Sequence, residues 1–184
     1  MRLKEKLLIA IALLVYFCLF YFTLQRVVVF VPHQFVPSRV DDAISFDPRW
    51  TLVYQSIYLL LPLPLLLSIE DVRRYARGFL MMTILSFAIF LVFPVEGPRP
   101  DVMVHNRAYD LLITYDRNLN AFPSLHAALA VYTLIFLRRL RFFAVLAIGV
   151  ALMLYATIAT KQHYAIDIVA GIVVGIGASY TARS

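Results

Sequence analysis

Charged residues are scarce in this chain, at 15% of its 184 residues, whereas a typical soluble domain has about 25%. Hydrophobic residues make up 62% and the mean hydropathy is +0.81, against about 45–50% apolar residues in a typical domain. A folded chain of this length still exposes much of its surface, so one core cannot bury the excess. The composition therefore excludes a disordered chain and argues against a soluble globular domain.

Cysteine is nearly absent, since Cys18 is the single one. No disulfide can form within the chain, and the position of Cys18 inside an apolar run indicates a packing residue. The formal net charge is +6, but no cluster of lysine and arginine is interleaved with aromatic residues, so we expect no nucleic-acid partner. The basic residues instead stand in short groups between apolar runs, which is typical of proteins that cross a membrane several times.

Six apolar stretches are long enough, or nearly so, to cross a bilayer core, which takes about 20 helical residues. They are Leu7–Leu24, Thr51–Ile69, Phe79–Val95, Ala121–Leu137, Phe142–Thr160 and Tyr164–Ala182. None contains an internal lysine or arginine, and none alternates as a membrane β-strand does. We predict an all-α fold, a polytopic bundle of six transmembrane helices. It forms one domain over residues 1–184, with outer loops at 25–50 and 96–120.

The basic residues also predict the orientation of this bundle. With the N-terminus inside, the inner segments hold ten of the 17 lysines and arginines and three of the 11 acidic residues. The ten are Arg2, Lys4, Lys6, Arg73, Arg74, Arg77, Arg138, Arg139, Arg141 and Arg183. By the positive-inside rule both termini are expected in the cytoplasm, with the protein in the plasma membrane. All four histidines then fall at or near the outer face, which suggests chemistry on the extracytoplasmic side.

The segment that opens the sixth span carries the clearest candidate for chemistry. His163 and Asp167 are four residues apart and therefore share one helix face. The carboxylate can accept the proton of one ring nitrogen, which makes the other nitrogen a better nucleophile or base. An ionisable residue such as Asp167 within a membrane span is a functional candidate by default.

Two further segments supply the remaining parts of a candidate site. At the start of the fourth span, Pro123 fits a first helical turn, and Ser124 and the free backbone N–H groups favour an anion. His126 stands beside them as a proton donor. After the third span, Arg99 lies between two prolines, and its guanidinium can hold two phosphate oxygens at once.

Lys161 is a candidate for a second cation at this site. Taken together, these residues predict a phosphoryl-transfer site with an anion clamp, a nucleophilic histidine held by an aspartate, and an acid histidine. The chain contains neither the H-E-x-x-H pattern of a zinc site nor the G-x-S-x-G pattern of a serine hydrolase. The second absence weakens a serine-hydrolase interpretation.

These residues resemble the motifs of the type-2 phosphatidic acid phosphatase superfamily, K-x6-R-P, P-S-G-H and S-R-x5-H-x3-D. Arg99-Pro100 matches the end of the first motif and Pro123-Ser124-Leu125-His126 the second, and His163 and Asp167 match the third. The sequence departs from the family at the first-motif lysine, where Val92 stands, and at Ser-Arg of the third, where Ala156-Thr157 stands. Two phosphate-binding cations of the family are thus missing, and Lys161 is predicted to replace one.

The resemblance implies a membrane enzyme that hydrolyses a lipid phosphomonoester or pyrophosphate at the extracytoplasmic face. In that mechanism His163 attacks phosphorus and forms a phosphohistidine, Asp167 orients it, and His126 protonates the leaving group. Arg99, Lys161, Ser124 and Pro123 belong to the substrate-binding set. The resemblance also implies that no metal or cofactor is required, since cations and the helix dipole replace one. Phosphatidic acid, phosphatidylglycerol phosphate and polyprenyl pyrophosphate are substrates of the expected type.

Three other interpretations stay open on the sequence. The forms A-F-P-S-L-H-A and T-K-Q-H-Y-x-x-D, with the segment Asp41–Pro48, look like the inositol phosphorylceramide synthase branch, so a phospho-head-group transferase is the main alternative. A transporter could use His163 and Asp167 as a proton relay, although inverted repeats are absent. His126, His163 and Asp167 could also form a metal-binding facial triad. The oligomeric state is not predicted.

Overall fold

The structure of the protein is a computed structural model that describes residues 2–102 and 104–182. Arg183, which was counted among the inner basic residues, lies outside the described residues. The described chain is mostly helical, which confirms the predicted fold class in its coarse form. The helices are α1 (Arg2–Leu24), α2 (Arg39–Ala43), α3 (Thr51–Tyr54), α4 (Ile57–Leu60), α5 (Ile69–Val92), α6 (Arg107–Tyr115), α7 (Leu125–Phe136), α8 (Phe143–Ala159) and α9 (Ala165–Thr181).

Two helices in the described part of the chain, α1 and α5, are long and apolar enough to cross a membrane. The helices α7, α8 and α9 are apolar but shorter, so six membrane crossings remain a prediction. Helix α5 begins ten residues before the predicted third span. The side chain of Ser68 accepts a hydrogen bond from the N–H of Asp71, and two acidic residues in the first turn favour the helix start.

The predicted second span, Thr51–Ile69, is not one continuous helix. It consists of α3, α4 and a 3₁₀ turn at Leu63–Leu66. Pro62 and Pro64 have no backbone N–H to donate, and the hydroxyl of Ser56 donates to the carbonyl of Val53 at 2.6 Å. These local interactions compete with the regular backbone hydrogen bonds of one long helix, so the stretch forms several short helices.

The outer loops contain more regular structure than the sequence predicted. Besides α2 and α6, they contribute two short strands, β1 (His33–Gln34) and β2 (Val95–Glu96), which pair in parallel. A single bridge connects Val95 to Asn120. Because β2 follows α5 directly, this pairing holds the first outer loop against the end of the bundle.

The helices α7 and α9 pack most closely in the core. A Cβ atom on Gly171 would collide with the carbonyl oxygen of Ser124, and one on Gly175 would lie 2.5 Å from the carbonyl oxygen of Ala128. Helix α1 has no fully buried residue, but partly buried side chains such as Leu13, Phe17 and Tyr21 pack against the core. Its N-terminal end is held near the start of α5, where Lys6 donates to the carbonyl of Leu65 at 3.1 Å.

Candidate active site

The structure brings the three predicted segments together at one end of the bundle. The N–H of Ala121 donates to the carbonyl of Val95 at 3.0 Å, and the N–H of Ser124 donates to the carbonyl of Asp167 at 3.0 Å. A Cβ atom on Gly97 would lie 2.5 Å from the carbonyl oxygen of Gln162. A glycine at position 97 therefore lets the first and third segments touch through their backbones.

The ring of His163 is held by a backbone carbonyl. Its Nδ1 lies 2.8 Å from the carbonyl oxygen of Ala121. A carbonyl can only accept, so this contact requires the proton on Nδ1 and leaves the lone pair on Nε2. The sequence indicated Asp167 for this task and gave no signal for Ala121.

The Asp167 carboxylate lies close to the same nitrogen but does not hydrogen-bond to it. The distance from Asp167 Oδ2 to His163 Nδ1 is 3.6 Å, beyond the range of a hydrogen bond. Oδ2 instead accepts the N–H of Tyr164 at 2.8 Å. The carboxylate is fully buried and its Oδ1 has no hydrogen-bond partner among the described residues. A buried carboxylate with one unpaired oxygen therefore lies beside His163.

His126 faces His163 across the site, with 6.1 Å between the ring centroids. A buried tyrosine positions it: the hydroxyl of Tyr54 lies 3.1 Å from His126 Nδ1, and the two rings stack at 4.2 Å. A hydroxyl can donate to neutral histidine and accept from protonated histidine, so Tyr54 supports both charge states. Tyr54 lies in the predicted second span, where it looked like an ordinary apolar residue.

The guanidinium of Arg99 is positioned by two residues that the sequence analysis missed. Its Nε donates to Gln162 Oε1 at 2.9 Å, and its Nη1 donates to the carbonyl of Asp116 at 2.6 Å. A weaker contact of 3.4 Å joins Nη2 to the Asp116 carboxylate. Arg99 is half-buried, and these contacts fix its orientation next to Gln162, the residue that precedes His163.

The carboxylate of Asp116 is the centre of a polar cluster at the outer end of α1. Its Oδ1 accepts the hydroxyl of Tyr21 at 2.9 Å and the Nε2 of Gln25 at 2.5 Å. Gln25 is buried, and its Oε1 accepts the N–H of Arg117 at 3.2 Å. This cluster ties α1 to the second outer loop and thereby supports Arg99.

Lys161 lies beside the site but its ammonium is directed elsewhere. It donates to the carbonyls of Asp41 and Ile44, at 2.7 Å in both cases. Its backbone has a φ of 53°, and the N–H groups of Lys161 and Gln162 donate to Ile158 and Thr157. This is a Schellman ending of α8. The predicted contact of Lys161 with phosphate therefore stays a prediction, because the structure shows the side chain holding the first outer loop.

Asp41 fastens that loop to the third motif from the other side. Its Oδ1 accepts the N–H of Ala165, the first residue of α9, at 2.8 Å. Burial would raise the pKa of Asp41, but hydrogen bonds from Ser38 and Ala165 and the charge of Lys161 lower it below its ordinary value. The loop therefore contacts the residues on both sides of His163.

Ser124 caps α7, whereas Pro123 lies one residue before the cap and not in the first helical turn that the sequence predicted. Ser124 is the N-cap residue, and its Oγ accepts the N–H of Ala127 at 3.3 Å. Both residues are buried, and the peptide bond before Pro123 is cis. The hydroxyl of Ser124 therefore serves the helix in this structure.

Two cavities meet at the pair of histidines. The polar cavity is lined by Arg99, Asn120 and His163 among others. The apolar cavity, of about 300 Å³, includes His126 in its wall and otherwise consists mainly of side chains from α1, α4, α6 and α7. Tyr21, Tyr54 and Asp116 line both, so the two cavities adjoin.

Within residues 2–102 and 104–182 no three histidine, cysteine or acidic side chains form a metal-binding group, so the triad alternative lacks geometric support there.

The structure is a helical bundle with two histidines and an oriented arginine at one end. This is the arrangement that the three motifs imply. The chain belongs to the PAP2 superfamily, because the model of that superfamily matches residues 6–181. The crystal structure of Aquifex aeolicus LpxE is similar, with a TM-score of 0.54 and 19% identity, covering 78% of this chain and 85% of that chain. At this identity the likeness shows a shared fold.

No curated protein matches the chain. Membership of the PAP2 superfamily indicates a phosphatase enzyme, and a lipid phosphate is consistent with it as the class of substrate.

Proposed function

We propose that the protein is an integral membrane phosphatase that hydrolyses a lipid phosphomonoester or pyrophosphate through a phosphohistidine. One observation carries this proposal: the facing histidines lie where a polar cavity with an arginine adjoins an apolar cavity. The polar side, whose free volume is about 10 Å³, presents groups that bind a phosphoryl oxygen, and the apolar side, of about 300 Å³, suits the hydrocarbon part of the same molecule. Such a division fits a lipid phosphate better than a water-soluble phosphate ester.

In the proposed first step, Nε2 of His163 attacks phosphorus while the bond from phosphorus to the lipid oxygen breaks. Protonated His126 gives its proton to that leaving oxygen, and Nδ1 of His126 stays paired with Tyr54. In the second step neutral His126 takes a proton from water, whose oxygen attacks phosphorus as the nitrogen–phosphorus bond breaks. Both histidines then return to their starting states.

Electrostatics favours the phosphohistidine in this site. Once Nε2 of His163 bonds to phosphorus while Nδ1 keeps its proton, the ring is positively charged. The positive ring then compensates the negative charge of the Asp167 carboxylate, which is buried and lies 3.6 Å away. The carbonyl of Ala121 accepts the Nδ1 proton throughout. In the proposed substrate-binding set, Arg99 and the first turn of α7, which follows Pro123 and Ser124, hold the other phosphoryl oxygens, with Lys161 at the edge of the site.

The proposed location is the plasma membrane, crossed several times, with the site on the extracytoplasmic side. Large apolar side chains are exposed along α1, α8 and α9, as lipid contact requires. Arg73 and its partner Glu5 lie near the start of α5, and the site follows its end, about 36 Å away at 1.5 Å per residue. Arg73 and the site are thus at opposite ends of α5, which agrees with the positive-inside rule.

A second candidate is a phospho-head-group transferase like the inositol phosphorylceramide synthase branch. The segment Asp41–Pro48, which is similar to a segment of that branch, lies against the third motif through Asp41 and Lys161. In a transferase, the hydroxyl of a lipid alcohol would replace water in the second step. The carboxylate of Asp41 already accepts hydrogen bonds from Ser38 and Ala165 in the structure. In a transferase it would therefore act by holding the loop in place.

The test is phosphate release by the purified protein in detergent from phosphatidic acid, phosphatidylglycerol phosphate and polyprenyl pyrophosphate, with a chelator present. We expect release from at least one lipid, loss of about 10³-fold or more in His163→Ala, and full activity in His33→Ala. His33 is a matched control because it is exposed at the same end and stacks on Phe93. Full activity of His163→Ala would contradict the assignment of His163 as the nucleophile.

The transferase is distinguished by adding an acceptor. Release of free phosphate without an alcohol acceptor supports the phosphatase. If product forms only when a phospholipid donor and a lipid alcohol are supplied together, the transferase is the correct assignment. Loss of activity with chelator would contradict the metal-independent mechanism.

A further inference from the structure

Two positions that carry cations in the family cannot hold phosphate in this chain. Val92 ends α5 with 64% of its surface exposed, and Thr157 is buried with its hydroxyl donating to the carbonyl of Met153 at 2.7 Å. Arg99 is already engaged by Gln162 and Asp116. A phosphoryl group in the polar cavity therefore needs donors in addition to Arg99.

Asn120 offers such a donor inside the polar cavity. Its side chain is 92% buried, since its exposed fraction is 8%, and it lines the cavity together with Arg99 and His163. Its Nδ2 has no hydrogen-bond partner in the described part of the chain. Natural proteins pair nearly all buried polar groups, so an unpaired amide in a cavity indicates a partner that binds there.

The backbone places this amide next to the nucleophile. Asn120 bridges to Val95, and the carbonyl of the following residue, Ala121, accepts the Nδ1 proton of His163. One short segment therefore fixes both the imidazole that would attack phosphorus and the amide beside it. A group held this way needs little reorganisation when the substrate binds.

Arg117 provides a cation from the same segment. It lines the polar cavity, its side chain is exposed, and its backbone N–H is held by Gln25 Oε1 at 3.2 Å. Its guanidinium forms no hydrogen bond or ion pair with the described residues 2–102 and 104–182. Arg117 can therefore pair with an anion.

We infer that the segment 117–120 is a phosphate-binding element that takes over from the missing family cations. The Nδ2 of Asn120 donates to one non-bridging phosphoryl oxygen, and the Arg117 guanidinium pairs with another. This inference rests on the proposed function, because it names further substrate contacts of the same site. It adds no bond-making step to the reaction.

The experiment compares Asn120→Ala, Asn120→Asp and Arg117→Gln with the wild type. The quantities are kcat and KM on the best lipid substrate, and the affinity for inorganic phosphate, measured directly on the detergent-solubilised protein. We expect KM and the phosphate Kd to rise about tenfold in Asn120→Ala, as for one lost hydrogen bond to a charged group. Asn120→Asp should show a larger rise, because its carboxylate repels phosphate.

Stability measurements separate this role from a structural one. Since Nδ2 of Asn120 has no partner in the free protein, Asn120→Ala should keep the melting temperature of the wild type. Arg117→Gln should raise KM several-fold, more at low salt than at high salt. Arg107→Gln is the matched control, because Arg107 is also exposed on the outer loop but does not line the cavity.

The inference is overturned if Asn120→Ala and Arg117→Gln keep KM and phosphate Kd within twofold of the wild type. It is also overturned if the wild type shows no saturable phosphate binding. Failure of the proposed function looks different: the wild type would then release no phosphate from any lipid tested. Arg117 is exposed, so its variant provides a result even if Asn120→Ala does not fold.

Discussion

The Nδ1 of His163 donates to the carbonyl oxygen of Ala121 at 2.8 Å, whereas Asp167 lies 3.6 Å from the same nitrogen. The two partners therefore have separate tasks. The carbonyl fixes the tautomer and the orientation of the ring, since it can only accept a proton. In the proposed mechanism the buried carboxylate acts through its charge, which matters most when the ring becomes positive.

Asp167→Asn tests the contribution of that charge. The variant keeps the size of the side chain and an oxygen that can accept the N–H of Tyr164. We expect kcat to fall about 10²- to 10⁴-fold, as for an aspartate that supports a catalytic histidine, with little loss of thermal stability. Asp110→Asn, an exposed change on α6, is the control. Equal kcat in Asp167→Asn and the wild type would contradict the charge argument.

Tyr54→Phe tests whether the hydroxyl positions His126. The variant loses one contact of 3.1 Å and keeps the stacked ring. We expect about a tenfold lower kcat, which corresponds to about 1–1.5 kcal/mol for one hydrogen bond, with KM almost unchanged. Tyr58→Phe is a matched control, since Tyr58 lines the apolar cavity. A raised KM with normal kcat would instead indicate that Tyr54 contacts the substrate.

Gly171→Ala tests the close approach of α7 and α9. A new Cβ would collide with the carbonyl oxygen of Ser124, so the helix start that carries the second motif must move. We expect a loss of about 1–3 kcal/mol in the free energy of unfolding and reduced activity. Gly177→Ala is the control, because nothing lies within 4 Å of its Cβ position. That variant should be neutral or stabilised by up to about 1 kcal/mol.

Lys161→Met and Lys161→Gly separate the backbone of this residue from its ammonium. Both variants lose the contacts to Asp41 and Ile44, so we expect faster proteolysis in the first outer loop. Glycine adopts the φ of 53° without strain, so Lys161→Gly should melt at a higher temperature than Lys161→Met. If the ammonium holds only the loop, KM changes less than threefold. A direct phosphate contact, as the sequence predicts, would raise KM about tenfold in both.

The lowered pKa of Asp41 predicts a dependence of stability on pH. A carboxylate whose pKa is lower in the folded state contributes stability that is present above its ordinary pKa, about 3.9. That contribution disappears as the pH falls through the lower, folded value. The melting temperature of the wild type should therefore exceed that of Asp41→Asn near pH 6, and the difference should shrink below about pH 4. A constant difference from pH 3 to pH 6 would contradict this prediction.

Local patterns in the sequence were sufficient to predict the helical class and to single out the residues of the three motifs as candidates. An excess of apolar residues needs long helices, but His163 and Asp167 do not share a helix face as their spacing predicted, because His163 precedes Tyr164, the N-cap residue of α9. The approach of α7 to α9 at Gly171 and Gly175 likewise has a local signature, because small residues spaced by four allow close packing. These features depend on residues that are near one another in the chain.

The tertiary structure decided which groups hold the site residues in place. Arg99 and Gln162 are 63 residues apart, and Lys161 and Asp41 are 120 apart. Tyr54 meets His126 across 72 residues, and the acceptor for His163 is a backbone carbonyl, which every residue possesses. Such contacts have no sequence signature, because a polar group can satisfy its hydrogen bonds with any suitable donor or acceptor that folding brings near. Folding alone therefore turned Lys161 toward the loop and left the Asn120 amide unpaired in the cavity.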